Sequence, residues 1–227
     1  MKFTAELEIQ MSTASAANNL FNSLRQSLRD RHIPVKFSPL VATPGYKVDW
    51  SRAPERRYPA YGAEHVLVYT DGGCDSAKSG LGAWAYRVHL PDGEVIQRVE
   101  GMTGTTNNRM ELRAVIMVLQ DQPRHRQMTV FSDSQYVIKG ITLWSRNWIA
   151  NGWRTYDGKQ VKNRDLWEEM LVLYLQHTVD FVHVRGHSGH PDNDAVDVLC
   201  TAKMIEMHKV ILGGGTVPID VGGPDHA

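Results

Sequence analysis

The sequence predicts an α/β domain in which a mixed five-stranded sheet is flanked by helices. Two strand-like segments, 82–90 and 94–100, flank the turn sequence Pro91-Asp92-Gly93, which predicts an antiparallel hairpin. Two later strand-like segments, 128–132 and 179–184, are separated by helical sequence, so they can pair in parallel. With a first strand at 66–69, these patterns predict an antiparallel meander followed by parallel strands.

Each remaining element has a local signal. The first strand is a short apolar run that ends at a turn sequence, Thr70-Asp71-Gly72-Gly73. Helices are predicted where apolar residues recur at the spacing of one helical face. These segments are 107–120, 134–140, 143–151, 166–177 and a last helix from Pro191 towards His208.

Composition divides the chain into four parts. Residues 65–210 carry the patterns above and form the main domain. Residues 1–37 read as a small α+β module, and the Pro- and Gly-containing residues 38–64 read as a linker whose arginines favour a solvated spacer over a nucleic-acid contact. Residues 211–227 are rich in glycine and are predicted to be a disordered tail.

The N-terminal module is too short to bury much surface alone. It combines strand-like alternation near its start with a helix whose apolar face holds Leu20, Phe21, Leu24 and Leu28. Such a unit gains stability by docking or by oligomerisation. We therefore expect docking or self-association through this face.

The overall charge argues at first against a nucleic-acid partner. The chain has 227 residues, with 25 basic and 25 acidic side chains and a formal net charge of zero. The charges are segregated, however, because residues 139–164 hold six basic residues, one acidic residue and three tryptophans. The tryptophans read mainly as core, whereas the cations suit a nucleic-acid backbone.

Cysteine content and hydropathy indicate the compartment. Two cysteines, Cys74 and Cys200, cannot form a disulfide framework and favour a reducing environment. The N-terminus has no apolar run of signal-peptide length, and no stretch approaches the ~20 apolar residues that a membrane helix needs. The sequence therefore predicts a cytoplasmic protein with no membrane partner.

Four acidic residues stand where an α/β fold can bring them together. Asp71 and Asp133 follow predicted strands, Glu111 lies early in the first helix, and Asp197 lies in the last helix; the set is Asp71, Glu111, Asp133 and Asp197. Carboxylates brought close together repel unless a cation neutralises them, and oxygen ligands select Mg²⁺ or Mn²⁺. The alternative is that each acid is a helix cap or a solvated group.

Several motifs stand in one order along the main domain. They are Thr70-Asp71-Gly72, Thr105-Thr106-Asn107-Asn108-Arg109-Met110-Glu111-Leu112, Ser132-Asp133-Ser134-Gln135-Tyr136-Val137, the tryptophans Trp144, Trp148 and Trp153 with Val161-Lys162-Asn163, and Gly186-His187-Ser188-Gly189-His190-Pro191 with Asp197 beyond. In this order and spacing, residues 65–205 resemble type 1 ribonuclease H. A chance match to one short motif does not place several in register.

The resemblance implies a ribonuclease H-like fold and a role for each acid. Asp71 would bridge two Mg²⁺ ions, with Mn²⁺ as a possible substitute, and Asp197 would share the ion beside the attacking water. Glu111 and Asp133 would hold the second ion, beside the leaving oxygen. The implied reaction is endonucleolytic hydrolysis of the RNA strand of an RNA–DNA hybrid, which leaves 5′-phosphate and 3′-hydroxyl ends.

The resemblance also implies how the substrate is held. His187 would assist proton transfer or product departure. Short amide side chains suit the RNA minor groove, and other positions match family contacts to a DNA phosphate or to the substrate-handling segment. The expected substrate contacts are Thr106, Asn107, Asn108, Gln135, Trp144 and Asn163. Asn107 has an alternative reading as the N-cap of its helix.

Two other functions compete with a ribonuclease. One is a module that binds hybrids without cutting them, which the presence of all four acids disfavours. The other is a related polynucleotidyl transferase, such as a recombinase nuclease, which the position of Asp197 after the Gly-His-Ser-Gly-His-Pro loop argues against.

Overall fold

The computed structural model describes residues 64–75, 80–186 and 189–220. Their centre is a mixed five-stranded sheet of order β3-β2-β1-β4-β5. The strands are β1 (Val66–Asp75), β2 (Leu81–His89), β3 (Val95–Met102), β4 (Gln127–Ser132) and β5 (Thr178–His183). The predicted fold class is confirmed. Residues 1–37 and almost all of the linker lie outside the described residues.

Helices follow the strands in the predicted order. They are α1 (Asn107–Asp121), α2 (Gln135–Lys139), α3 (Ser145–Ala150), α4 (Arg164–Tyr174) and α5 (Pro191–Leu212), with a π-helical turn at Gly140–Trp144. Within the described residues, no helix is both long and apolar enough to cross a membrane.

The antiparallel half of the sheet forms as the hairpin signal predicts. The turn between β2 and β3 closes through Leu90 N to Glu94 O at 2.8 Å and Gly93 N to Leu90 O at 3.0 Å. Its register places His89 opposite Val95 and Gly82 opposite Met102. Gly93 has φ +91, so it supplies the positive φ that this turn requires.

Strand β1 is longer than the sequence predicts. The turn expected at Thr70-Asp71-Gly72-Gly73 is wrong, because β1 stays paired with β2 as far as Asp75. Its parallel pairing with β4 ends earlier, at Tyr69 opposite Phe131. The β2 partner satisfies the backbone groups of the two glycines, which therefore remain extended rather than turning.

Helices cover both faces of the sheet. Helix α1 packs on β1 and β2 and also on α4, whereas α5 packs on β1, β2 and β3. On the α5 side, Tyr69, Ala83 and Ala85 form a buried cluster with Val196 and Cys200. No residue of β1 or β2 is exposed, as expected for strands that are covered on both faces.

The chain divides into two compact units, of which the larger comprises residues 62–143 and 162–227. The described part of the other unit is Trp144–Val161. Within it, Val161 N donates to Trp153 O at 3.0 Å, and both residues are buried. The rings of Trp144 and Trp148 lie 5.7 Å apart. Helix α3 and the hydrogen bond from Val161 to Trp153 define the local structure of this segment.

The beginning of the C-terminal tail is ordered, which differs from the prediction of a disordered segment. Thr103 N donates to Pro218 O at 2.8 Å, and Asp220 N donates to Thr103 O at 2.9 Å. The Asp220 side chain is buried beside Arg109, with Nε to Oδ2 at 2.6 Å. This ion pair offsets the conformational entropy that a glycine-rich segment loses on ordering. Residues 221–227 lie outside the described residues.

Candidate active site

Asp71 lies in β1, and Asp133 directly follows β4, the neighbouring strand. The last residue pair in the parallel register of β1 and β4 is Tyr69 opposite Phe131. Asp71 lies two residues after Tyr69, and Asp133 lies two residues after Phe131. Because side chains alternate along a strand, Asp71 shares the face of Tyr69, which packs towards α5. The end of the parallel pairing therefore brings the two carboxylates to one edge of the sheet.

Glu111 reaches this edge because Gly72 lets α1 approach β1. A β-carbon at Gly72 would overlap the backbone of Met110 and Glu111. Thr106 caps α1 by accepting a hydrogen bond from Arg109 N at 3.4 Å, so Glu111 lies in the first turns of the helix. The close approach of backbone to backbone brings Glu111 next to the strand that carries Asp71.

Asp197 comes from the second turn of α5. Pro191 opens this helix, and Asp194 N donates to His190 O at 2.9 Å. Val196 and Cys200 are buried against the sheet, and the Cys200 thiol donates to the Asp71 carbonyl at 3.5 Å. Asp197 is therefore held beside β1 by the buried residues on either side of it.

All four predicted carboxylates line one cavity of about 270 Å³. Glycine and asparagine complete its wall, which is lined by Asp71, Gly72, Gly73, Asn107, Glu111, Asp133, Asn193 and Asp197. Four acids and two carboxamides around one small cavity concentrate negative charge and oxygen ligands there.

The pKa of Glu111 reflects its burial first and the neighbouring charges second. Burial raises its pKa to about 7; a hydrogen bond from the Ser134 hydroxyl opposes the rise, and the charges of Asp133 and Asp71 add to it. A carboxyl group with a raised pKa beside other carboxylates becomes fully ionised when a cation compensates the charge. The electrostatics of the cavity thus favour a bound cation.

The side chains around the cavity offer oxygen donors to a metal ion. Across residues 64–75, 80–186 and 189–220, no three His, Cys, Asp or Glu side chains stand close enough together to form a metal site by themselves. The donors are nevertheless all oxygen, as Mg²⁺ and Mn²⁺ require. Asn193 is 2% exposed, and its Oδ1 has no hydrogen-bond partner among the described residues. A buried oxygen without a partner beside four carboxylates fits a site for a hard divalent cation.

The three expected substrate contacts at the start of α1 are all exposed. Thr106, Asn107 and Asn108 are consecutive and all exposed. The N-cap is Thr106 and not Asn107, which is the first residue of the helix. Asn107 Oδ1 instead accepts a hydrogen bond from Cys74 N at 2.6 Å, which fixes its amide at the wall of the cavity.

The other expected contacts are more widely placed. Gln135 is exposed at the start of α2, and its Oε1 accepts from Lys139 Nζ at 2.7 Å. Asn163 has φ 58, and its Nδ2 donates to the Tyr136 hydroxyl at 3.1 Å. Trp144 belongs to the separate unit, where 36% of its surface is exposed.

His187 and Ser188 lie outside the described residues, whereas Gly186 and His190 lie within them. Gly186 packs against the Asp133 carboxylate, where a β-carbon would overlap Oδ2. The His190 ring lies 5.2 Å from the ring of Tyr69 and 6.4 Å from that of Phe131. The loop is therefore fixed at both of its described ends next to the edge of the sheet that carries the acids.

Three residues around the cavity escape sequence reasoning. Ser134 reads as a helix cap, Asn193 as a polar residue in a first turn, and Gly186 as a loop glycine. Ser134 contacts Glu111 and Gly186 lies against Asp133, both through residues distant in the chain, and Asn193 lines the cavity wall. A signal exists only for Ser134 and Gly186, because both stand inside the quoted motifs.

Comparison with known proteins agrees with this geometry. A family model described as RNase H matches residues 63–205. Ribonuclease H of Marinobacter nauticus is 44% identical over 147 residues, which cover 64% of this chain and 98% of that protein. Ribonuclease H of Paracoccus denitrificans is 41% identical over 153 residues, which cover 66% of this chain and 98% of that protein.

A solved structure shares the fold. It is described as LC9-RNase H1, a type 1 RNase H with the type 2 active-site motif, and it is 28% identical with a TM-score of 0.56. The match covers 69% of this chain and 76% of that chain. Because the family model spans more than half of the sequence and the relatives are matched over nearly their whole length, this chain belongs to the RNase H family, as a ribonuclease H of type 1.

Proposed function

We propose that this ribonuclease H cuts the RNA strand of RNA–DNA hybrids endonucleolytically with two Mg²⁺ ions. The observation that carries the proposal is the single cavity lined by all four acids of a chain that belongs to the RNase H family. The products are 5′-phosphate and 3′-hydroxyl ends, as expected when water attacks phosphorus and the 3′ oxygen leaves.

The four carboxylates would hold the two ions. Asp71 would be a ligand of both, Asp197 of the ion beside the attacking water, and Glu111 and Asp133 of the ion beside the leaving oxygen. When bound, the ions supply positive charge to the attacking and leaving oxygens and offset the charge that develops on the phosphate. Mn²⁺ substitutes because it also prefers oxygen ligands.

The remaining residues bind and orient the hybrid. Asn107, Asn108 and Gln135 present amides to the RNA minor groove, where a 2′-hydroxyl distinguishes RNA from DNA. Thr106 and Asn163 hold a phosphate of the DNA strand. Trp144 contributes an aromatic surface in a segment whose net charge of +5 suits a nucleic-acid backbone.

His187 moves a proton near the leaving group or aids product departure. Histidine titrates close to neutral pH, and the packing of Gly186 against Asp133 supports a position for the loop near the acids.

We place this activity in the cytoplasm. Residues 1–37 add self-association to it. Deleting residues 1–60 and measuring molar mass and hybrid affinity tests the self-association. A lower molar mass is expected, and an unchanged mass together with unchanged affinity contradicts a role in self-association.

The central test is cleavage by wild type and Asp133→Asn. The substrates are a defined hybrid, an RNA duplex, a DNA duplex and a DNA junction, each with and without Mg²⁺. Wild type is expected to cut only the hybrid and only with metal, and D133N to keep its unfolding transition while losing nearly all turnover. Hybrid binding by wild type without cutting would support a binding module, and cleavage of DNA junctions would support a transferase.

A further inference from the structure

Ser134 is the residue that joins two acids of the cavity. It follows Asp133 directly in the sequence, and its hydroxyl donates a hydrogen bond to Oε2 of Glu111. The two partners are 23 residues apart. Ser134 is 5% exposed, so this contact is shielded from competing water.

The Ser134 hydroxyl has a defined orientation. As the N-cap of α2, its oxygen accepts a hydrogen bond from Val137 N at 3.2 Å. A serine hydroxyl has one proton, and a carboxylate oxygen can only accept it. The cap thus occupies a lone pair and leaves the proton directed at Glu111.

The Ser134 backbone is fixed as well. Its N–H donates to the Ser132 hydroxyl at 3.1 Å, and Ser132 is itself buried at the end of β4. Val184 N donates to Ser132 O at 3.1 Å, which ties the same turn to the strand that precedes the Gly186 loop. The serine is therefore a rigid donor rather than a surface hydroxyl.

Glu111 needs such a donor. It has the longest side chain of the four acids, and the charges of Asp133 and Asp71 repel it. Without a partner, its carboxylate would turn away from the cavity and gain rotamer entropy. A hydrogen bond to one oxygen restrains that motion and leaves the other oxygen available to a ligand.

We propose that Ser134 is a positioning residue that holds the Glu111 carboxylate in place for the cation. This inference rests on the proposed function, because it concerns the metal that the four acids would bind. Ser134 itself touches neither substrate nor metal and acts through Glu111. Loss of an outer partner of a metal ligand typically weakens metal affinity roughly 10- to 100-fold.

The experiment compares three variants of the full chain. S134A and S134G both remove the hydroxyl, but Gly retains most of the N-cap stability and Ala does not. S134T keeps a hydroxyl on the same carbon. Mg²⁺ affinity is measured by calorimetry without nucleic acid, hybrid cleavage is measured across Mg²⁺ concentrations, and unfolding is followed thermally.

The Mg²⁺ affinity of each variant is expected to depend on whether it retains the hydroxyl group, and not on its thermal stability. S134A and S134G should weaken Mg²⁺ binding by at least about tenfold, and cleavage should need correspondingly more Mg²⁺. S134T should lie nearer to wild type, although S134A melts lower than S134G. Wild-type Mg²⁺ affinity in a folded S134G overturns the inference, as does an affinity that follows the melting temperature. Failure of wild type to cut a hybrid contradicts the proposed function instead.

Discussion

Gly186 lies so close to Asp133 that a β-carbon at position 186 would overlap Oδ2 of the carboxylate. Asp133 follows β4, and Gly186 begins the loop after β5, the neighbouring strand. Because residue 186 has no side chain, its backbone can lie directly against the carboxylate of an acid of the cavity.

The first prediction is that Gly186→Ala reduces hybrid cleavage at least about tenfold, because a misplacement of ~1 Å at a reacting centre costs up to ~10²-fold. The methyl group displaces the Asp133 carboxylate, whereas the backbone of residue 186 does not need a positive φ. Cleavage kinetics and thermal unfolding measure the effect. Gly213→Ala is the matched control, since a β-carbon there makes contact at an ordinary 3.4 Å. Full activity of G186A would show that Asp133 tolerates the shift.

The second prediction concerns pH and the buried pair of Arg109 and Asp220. Burial alone would raise the pKa of Asp220, but hydrogen bonds and charge from Arg109, aided by Thr105 and Arg113, lower it overall. A carboxyl whose pKa falls on folding stabilises the native state above the unfolded pKa of ~3.9 and loses that contribution as pH falls through the native value.

Asp220→Asn should therefore lower the free energy of unfolding by about 3–5 kcal/mol at pH 7, because it leaves Arg109 short of a buried partner. Denaturant unfolding of both proteins at several pH values checks this, and the difference should shrink below pH ~4. Asp157→Asn removes an exposed pair with Lys159 and should change little. A D220N deficit that is the same at pH 2.5 and pH 7 would exclude the ion pair as its cause.

The same ion pair explains what the sequence could not predict about the tail. Arg109 and Asp220 are 111 residues apart, and local composition around Asp220 is dominated by glycine and proline. Compositional rules therefore predict disorder, whereas the buried pair with Arg109 and the backbone hydrogen bonds to Thr103 order the segment that ends at Asp220. The continuation of β1 through Gly72 and Gly73 was hidden for the same reason, since the pairing with β2 lies outside the local sequence.

The strands and the four acids were predictable because their signals are local. Hairpin and periodicity patterns define the sheet, and each acid stands inside or just after a recognisable motif. Contacts between motifs were not predictable in this way. The hydrogen bond from Ser134 to Glu111 and the packing of Gly186 against Asp133 depend on how the motifs meet in space.

The third prediction is that Tyr136→Phe weakens hybrid binding through Asn163. The Tyr136 hydroxyl accepts hydrogen bonds from Asn163 Nδ2 and from Trp167 Nε1, both at 3.1 Å. Phe removes the acceptor and frees the amide, so KM should rise about three- to tenfold with little change in kcat. A double-mutant cycle with Asn163→Ala tests the connection, because the two effects should be less than additive. Full additivity of the two effects would show that Tyr136 does not act through Asn163.

The fourth prediction concerns salt dependence and Arg146, which is exposed on α3 within the basic segment. If its guanidinium contacts a phosphate, Arg146→Ala should lower the slope of log affinity against log salt by about 1, since each such contact releases about one counterion. Fluorescence anisotropy with a labelled hybrid measures this, in a D133N background that prevents cutting. Lys209→Ala is the control, because Lys209 is also exposed but lies near the end of α5, outside the basic segment. Equal slopes for R146A and its parent would show that Arg146 does not contact a phosphate. A lower slope for K209A as well would indicate that overall charge, and not a local contact, controls the affinity.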